Sequence, residues 1–199
     1  YAGGEISYFK PLLVGMNAIK KSEIISIKNK EGSTGKLTFL QIKHKILSDG
    51  HLILEELQNL VYREENKEKN IIKKFTKAPK NFDFNKSWFT NAEMLFRYSA
   101  LTHNTHRIHY DYPYATNVEG YPQIVVHGPL LATFLLDLAS KVANDMKVEI
   151  KKFSFRLMSP VFVGGEIFAE AKNKTNGLDM WIKDQYGNMS LSAQVELGN

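Results

Sequence analysis

The chain has no cysteine. That excludes disulfides, thiolate metal sites and a cysteine nucleophile, and it is compatible with a reducing compartment. Long apolar runs are missing too: stretches such as Ile124-Val125-Val126 are far too short to span a bilayer. No basic–apolar–small leader opens the chain, and no low-complexity tract interrupts it. An initiator methionine is also lacking. The first residues are Tyr1-Ala2-Gly3-Gly4, so an N-terminal segment is expected to have been lost. What remains is 199 residues, 43% hydrophobic and 24% charged, enough for one large or two small domains with a buried core.

A net charge of +5 favours polyanionic partners, whether nucleic acid, an acidic protein or a phosphate-bearing molecule. Much of the basic excess is local. Lys67, Lys69, Lys73, Lys74, Lys77, Lys80 and Lys86 cluster around Ala78-Pro79 with no sustained apolar period. This stretch reads as an exposed linker over 66–86 between halves at 1–65 and 87–199. A nucleic-acid arm is the alternative. It would offer only Phe75, Phe82 and Phe84 for stacking, with no Arg-rich or Gly-rich pattern, so no nucleic-acid partner is expected.

The two halves repeat. Ile6-Ser7-Tyr8-Phe9-Lys10-Pro11-Leu12-Leu13-Val14-Gly15 lies over a segment from Phe153 to Gly164, sharing Pro-apolar-apolar-Val-Gly after an alternating strand. Three strand-like segments follow in each copy: 18–29, 36–46 and 52–62, then 167–173, 178–184 and 189–197. Turn signals such as Asp49-Gly50 and Tyr186-Gly187-Asn188 separate them. Period-2 alternation in Leu37–Ile42 and Ser190–Val195 gives these strands one wet face. The pattern predicts one antiparallel unit present twice. Before the second copy only, Pro129 opens a run to Ala143 that is apolar nearly all round, hence a buried helix. The expected fold class is α+β, a sheet wrapped around a long helix.

Four of the six histidines, His103, His106, His109 and His127, lie between residues 103 and 127. Imidazole is suited to proton transfer near neutral pH. A zinc site is weaker, because a spacing of three brings His103, His106 and His109 together on neither helix nor strand, and no His-Glu-x-x-His pattern occurs. No metal is expected. A nucleophile elbow is also missing.

These motifs resemble a known family. A strand, then Asn104-x-x-Arg107-Ile108-His109-x-Asp111-x-x-Tyr114-Ala115, a Gly-Tyr-Pro, and Val126-His127-Gly128-Pro129-Leu130 opening a long helix is similar to the MaoC-like hot-dog hydratase/dehydratases. The nearest likeness is to the two-hot-dog branch of 3-hydroxyacyl-thioester dehydratases and mesaconyl- or itaconyl-CoA hydratases. Ala2-Gly3-Gly4, Gly35-Lys36-Leu37-x-Phe39 and Glu56-x-Gln58-x-x-Val61-Tyr62-Arg63-Glu64 resemble that branch's degenerate N-terminal hot dog. The resemblance implies a double hot dog whose N-terminal copy, 1–65, holds strands only, and a catalytic copy at 87–199.

The resemblance implies water addition to, or removal from, a 2-enoyl or 3-hydroxyacyl thioester. His109 would act as general base and acid, Asn104 would orient the water, and the Gly128 amide would face the thioester oxygen. The broader family carries Asp five residues before the histidine, so Asn104 is a departure that puts the two-residue mechanism in doubt, although this branch is similar in carrying Asn there. Arg107, His127 and Tyr98 are the expected substrate-binding residues. Each has an alternative: Arg107 bracing Asp111, His127 packed before the helix, and Tyr98 a wall. The handle, CoA or an acyl-carrier protein's phosphopantetheine, would come with the substrate, and no separate cofactor or membrane partner is expected. The setting would be cytoplasmic, or the mitochondrial matrix in a eukaryote. An incomplete first half leaves a homodimer open. A non-catalytic thioester-binding module is the rival reading. A thioesterase using Asp111 or Glu119 is a third.

Overall fold

The computed structural model describes residues 1–32, 35–63 and 75–198. Residues 66–74 of the expected linker lie outside this set, as does Glu64. Four N-terminal strands, β1 (Gly3–Tyr8), β2 (Ile19–Gly32), β3 (Gly35–Ser48) and β4 (His51–Arg63), form an antiparallel unit. Next come β5 (Phe84–Phe89), α1 (Ala92–Thr102) and α2 (Gly128–Met146). A second unit follows: β6 (Glu149–Leu157), β7 (Glu166–Lys174), β8 (Gly177–Asp184) and β9 (Met189–Gly198).

The strands make one nine-stranded sheet in the order β2-β3-β4-β1-β6-β9-β8-β7-β5. The order around β1 mirrors that around β6, as a repeat related by a local two-fold requires. Ile6 and Phe153, the positions that begin the two repeats, sit opposite one another across the β1–β6 seam. The fold is a double hot dog. In the described residues the helix belongs to the second copy: α2 packs against β5 to β9. Leu131, Leu135, Leu138, Ala139 and Val142 face inward at helical spacing. Ala169, Ala171 and Ala193 belong to the same core, and their small side chains let helix and sheet approach closely. Across the seam Ile19, Ile24 and Ile27 of β2 remain exposed.

Two expectations need correction. The segment ahead of Asn104 is not a strand but α1. Asn91 caps it by accepting from the Met94 N–H at 2.9 Å, Glu93 suits the positive first turn, and Leu95 and Ser99 bury one face at i, i+4. The end of the 66–86 stretch is not a free linker. Residues 84–86 begin edge strand β5 on β7, Ala78 donates to the Gly187 carbonyl, and Met189 to that of Thr76. Lys77 Nζ reaches the Tyr186 carbonyl and Asn188, and Lys86 pairs with Asp137 at 2.7 Å. Part of the basic excess is thus held by fixed acceptors. Among the described residues no helix is long and apolar enough to cross a membrane.

Candidate active site

Three segments meet at the N-terminus of α2. The first is the end of α1. His103 takes a left-handed conformation (φ 52°), which closes the helix and turns Asn104 out of it. The second is a short helical turn, Arg107–His109. The third is 124–127. Val125 donates its N–H to the Ile108 carbonyl, and Val126 donates to that of Val161. This tether lays the approach to α2 against the histidine turn.

His109 is buried, and its Nδ1 lies 2.6 Å from the Val125 carbonyl. A carbonyl only accepts, so Nδ1 carries the proton and Nε2 keeps its lone pair. His127 lies behind, fully buried, stacked on His109 with ring centroids 3.8 Å apart and planes at 19°. Its Nε2 is 2.8 Å from the Ser99 hydroxyl, and its Nδ1 has no hydrogen-bond partner among the described residues. Tyr98 lies edge-on to His127 at 4.9 Å. Burial pushes the His109 pKa down to about 4, with the nearby His106 adding to the effect against the Val125 hydrogen bond. Burial, then His109 and His106, push that of His127 down to about 3. Both rings are therefore neutral at pH 7, the form a base needs.

Asn104 Oδ1 accepts the His106 N–H at 3.1 Å. Of the two roles open to its amide, donation through Nδ2 is the one this geometry favours. Gly128 is the first residue of α2. His127 gives the helix no side-chain cap and Pro129 has no N–H, so the helix start presents the Gly128 amide. A Cβ here would fall 2.3 Å from Leu157 Cδ1, so a side chain would force Leu157 aside.

His109, Asn104 and Gly128 all line one cavity of about 960 Å³, and Tyr1, Gln58 and Leu60 of the N-terminal half line it as well. The other three expected site residues lie elsewhere. His127 and Tyr98 sit behind His109 and are not lining residues. Arg107 makes two hydrogen bonds to Asp111 Oδ2, at 2.9 and 2.7 Å, and its guanidinium sits 4.1 Å from the Tyr114 ring centroid. The brace is the arrangement observed. Among the described residues no group of three His, Asp or Glu converges to hold a metal. Two contributors left no functional signal in the residue order: the Val125 carbonyl, a backbone atom, and Ser99, one small residue on an unpredicted helix.

The neutral pair gives a pH prediction with opposite faces. Activity needs unprotonated His109, so kcat/KM should stay flat from pH 8 down to about pH 5 and fall only toward pH 4. Stability should fail earlier. Below the ordinary imidazole value of 6.5, the unfolded chain takes up protons that the folded pair refuses, so melting temperature should drop as pH falls from 6.5 toward 4. An acid limb of kcat/KM centred near 6.5 would show that His109 is not held neutral.

Residues 1–163 match the family model described as hydroxyacyl-thioester dehydratase type 2. The whole chain aligns with mesaconyl-C(4)-CoA hydratase of Chloroflexus aurantiacus at 36% identity over 198 residues, covering 70% of that protein. A segment of 124 residues, 61% of the chain, is 41% identical to the mitochondrial hydroxyacyl-thioester dehydratase type 2 of Schizosaccharomyces pombe, covering 40% of it. Among solved structures, full-length peroxisomal multifunctional enzyme type 2 of Drosophila melanogaster superposes with a TM-score of 0.76 at 15% identity. That match covers 99% of this chain and 36% of the fly protein, and it bears on fold alone. With the model match running through the histidine turn and the start of α2, the chain belongs to the hydroxyacyl-thioester dehydratase type 2 family.

Proposed function

We infer that this chain hydrates a 2-enoyl thioester and dehydrates the corresponding 3-hydroxyacyl thioester, with CoA or a carrier protein's phosphopantetheine as the handle. The observation that supports it most is His109, its Nδ1 held by the Val125 carbonyl, lining one cavity with the Asn104 amide and the start of α2.

In hydration, the thioester oxygen would lie against the Gly128 amide. Charge developing there as the β-carbon is attacked is stabilised by an N–H that need not reorganise. Asn104 Nδ2 would donate to the water, leaving one of its lone pairs for the β-carbon. His109 Nε2 would take the water's proton and deliver a proton to the α-carbon. The His109 cation is then transient, and the Val125 carbonyl, accepting from Nδ1, supports it. Dehydration is the reverse. The reading places the chain where such thioesters are handled, the cytoplasm or a mitochondrial matrix.

The test is incubation with crotonyl-CoA and with mesaconyl-C4-CoA, following enoyl absorbance and free thiol together. Absorbance loss without thiol is expected from at least one. Thiol release would instead indicate a thioesterase, for which Glu119 is the carboxylate lining the cavity. No change in either signal would leave a binding module.

A further inference from the structure

The N-terminal sheet carries a polar line that the reaction does not use. Directly opposed residues in antiparallel strands share a face. Ile6 and Tyr8 of β1 pack against the core, and Ile6 opposes Glu56 while Gly4 opposes Gln58. On the same face, Gln58 opposes Ile42, His44 opposes both Glu56 and Ser22, and Leu60 opposes Leu40. Ser22, His44, Glu56 and Gln58 therefore share a face with Ile24, Ile27, Leu40, Ile42, Leu54 and Leu60, with Lys20, Asn29 and Thr38 toward its ends.

The line is connected. Ser22 Oγ lies 2.8 Å from His44 Nδ1, and His44 Nε2 lies 3.2 Å from Gln58 Oε1. His44 is 8% exposed. Gln58 Oε1 only accepts, so His44 Nε2 donates to it and Nδ1 accepts from the Ser22 hydroxyl. With its oxygen engaged, Gln58 keeps its two N–H donors. Gln58 is also the residue of this line that lines the cavity shared with His109. A buried imidazole is costly unless its nitrogens are satisfied, and here exposed Ser22 and half-buried Gln58 satisfy both nitrogens of His44.

We propose that Gln58, held by the Ser22–His44 relay, is a specificity-determining residue that donates a hydrogen bond to an oxygen on the acyl group. This chain would thus prefer enoyl thioesters bearing a hydroxyl or carboxylate over plain alkyl ones. The proposal rests on the acyl-thioester reading and names the substrate class within it. Glu56, two residues along on the same face, weighs toward the uncharged hydroxyl.

Three thioesters of equal carbon count test it: crotonyl-CoA, with a terminal methyl; 4-hydroxycrotonyl-CoA, with a hydroxyl; and fumaryl-CoA, with a carboxylate. The readout is the kcat/KM of each oxygenated substrate divided by that of crotonyl-CoA. Gln58→Leu should lower at least one ratio by about 10- to 100-fold, the usual penalty for a lost donor at a polar substrate group. Gln58→Met, close in shape but without donors, should do the same and covers a Leu variant that fails to fold. His44→Phe should move the same ratio in the same direction by a smaller factor, because it frees Gln58 without removing it. Ratios within threefold of the parent for both Gln58 variants would overturn the proposal. So would an equal fall on all three substrates, which marks a structural role. A parent chain that hydrates none of the three would instead reject the hydratase reading.

Discussion

Replacing His109 by alanine should lower kcat/KM for a 2-enoyl thioester by about 10²- to 10⁴-fold, the usual range for loss of a positioned acid–base group. The reasons are geometric. Nδ1 is committed to the Val125 carbonyl, so Nε2 is the basic atom, and the ring lines the same cavity as Asn104 and Gly128. Neither of those two can replace it: an Asn amide takes up no proton at neutral pH, and a backbone N–H only donates. Alanine also removes one ring of a buried stack and leaves a hole beside His127. His109→Asn separates the two effects. Its amide can still donate to the Val125 carbonyl, but it cannot act as a base. Asn should therefore lose as much activity as Ala while keeping a melting temperature nearer that of the parent. Activity within about tenfold of the parent in both variants would remove His109 from the mechanism.

Gly3→Ala should be among the most destabilising single changes in the chain. Gly3 sits in the strand that joins the two halves, with Asn59 opposite on β4 and Arg156 opposite on β6. Its φ is +144°, where residues with a side chain are strained. A Cβ there would fall 2.3 Å from the Phe155 carbonyl oxygen and 3.0 Å from Arg156 Cα. Both are backbone atoms of a hydrogen-bonded strand, so no side-chain rotation relieves the clash. A loss of about 3 kcal/mol or more follows from the strained conformation together with the clash. Gly15→Ala is the control. Its φ of +91° is also strained, yet a Cβ there would meet nothing within 4 Å. Gly15→Ala should cost about 1 kcal/mol, from conformation alone. Urea midpoints at equal m-value decide the comparison. If the two variants unfold together, the close approach at the seam is not a constraint.

Local patterns made much of the fold legible. Alternation and turn residues marked eight strands, because a half-buried strand repeats every two residues whatever its neighbours do. Pro129 and the apolar run after it marked the buried helix for the same kind of reason. α1 was missed because its signals are one Asn cap and a narrow inward stripe, with Leu95 and Ser99 buried and Met94 and Tyr98 half-buried beside them. The docking of residues 76–86 was missed because backbone pairing on a sheet edge has no side-chain signature.

At the site, residue types and order by themselves determined which groups are available: no thiol, a histidine cluster, and a glycine and proline at the start of a helix. Tertiary structure decided what each can do. The Val125 carbonyl selects the His109 tautomer, and burial beside His127 keeps the ring neutral. The hydrogen bond from His106 leaves Asn104 its donors, and Asp111 draws Arg107 into a brace. The β1–β6 seam brings Gln58, some 50 residues away in sequence, to the cavity that holds His109. Proton affinity and hydrogen-bond role depend on what lies within a few ångströms, and residues that distant in the chain are placed by packing.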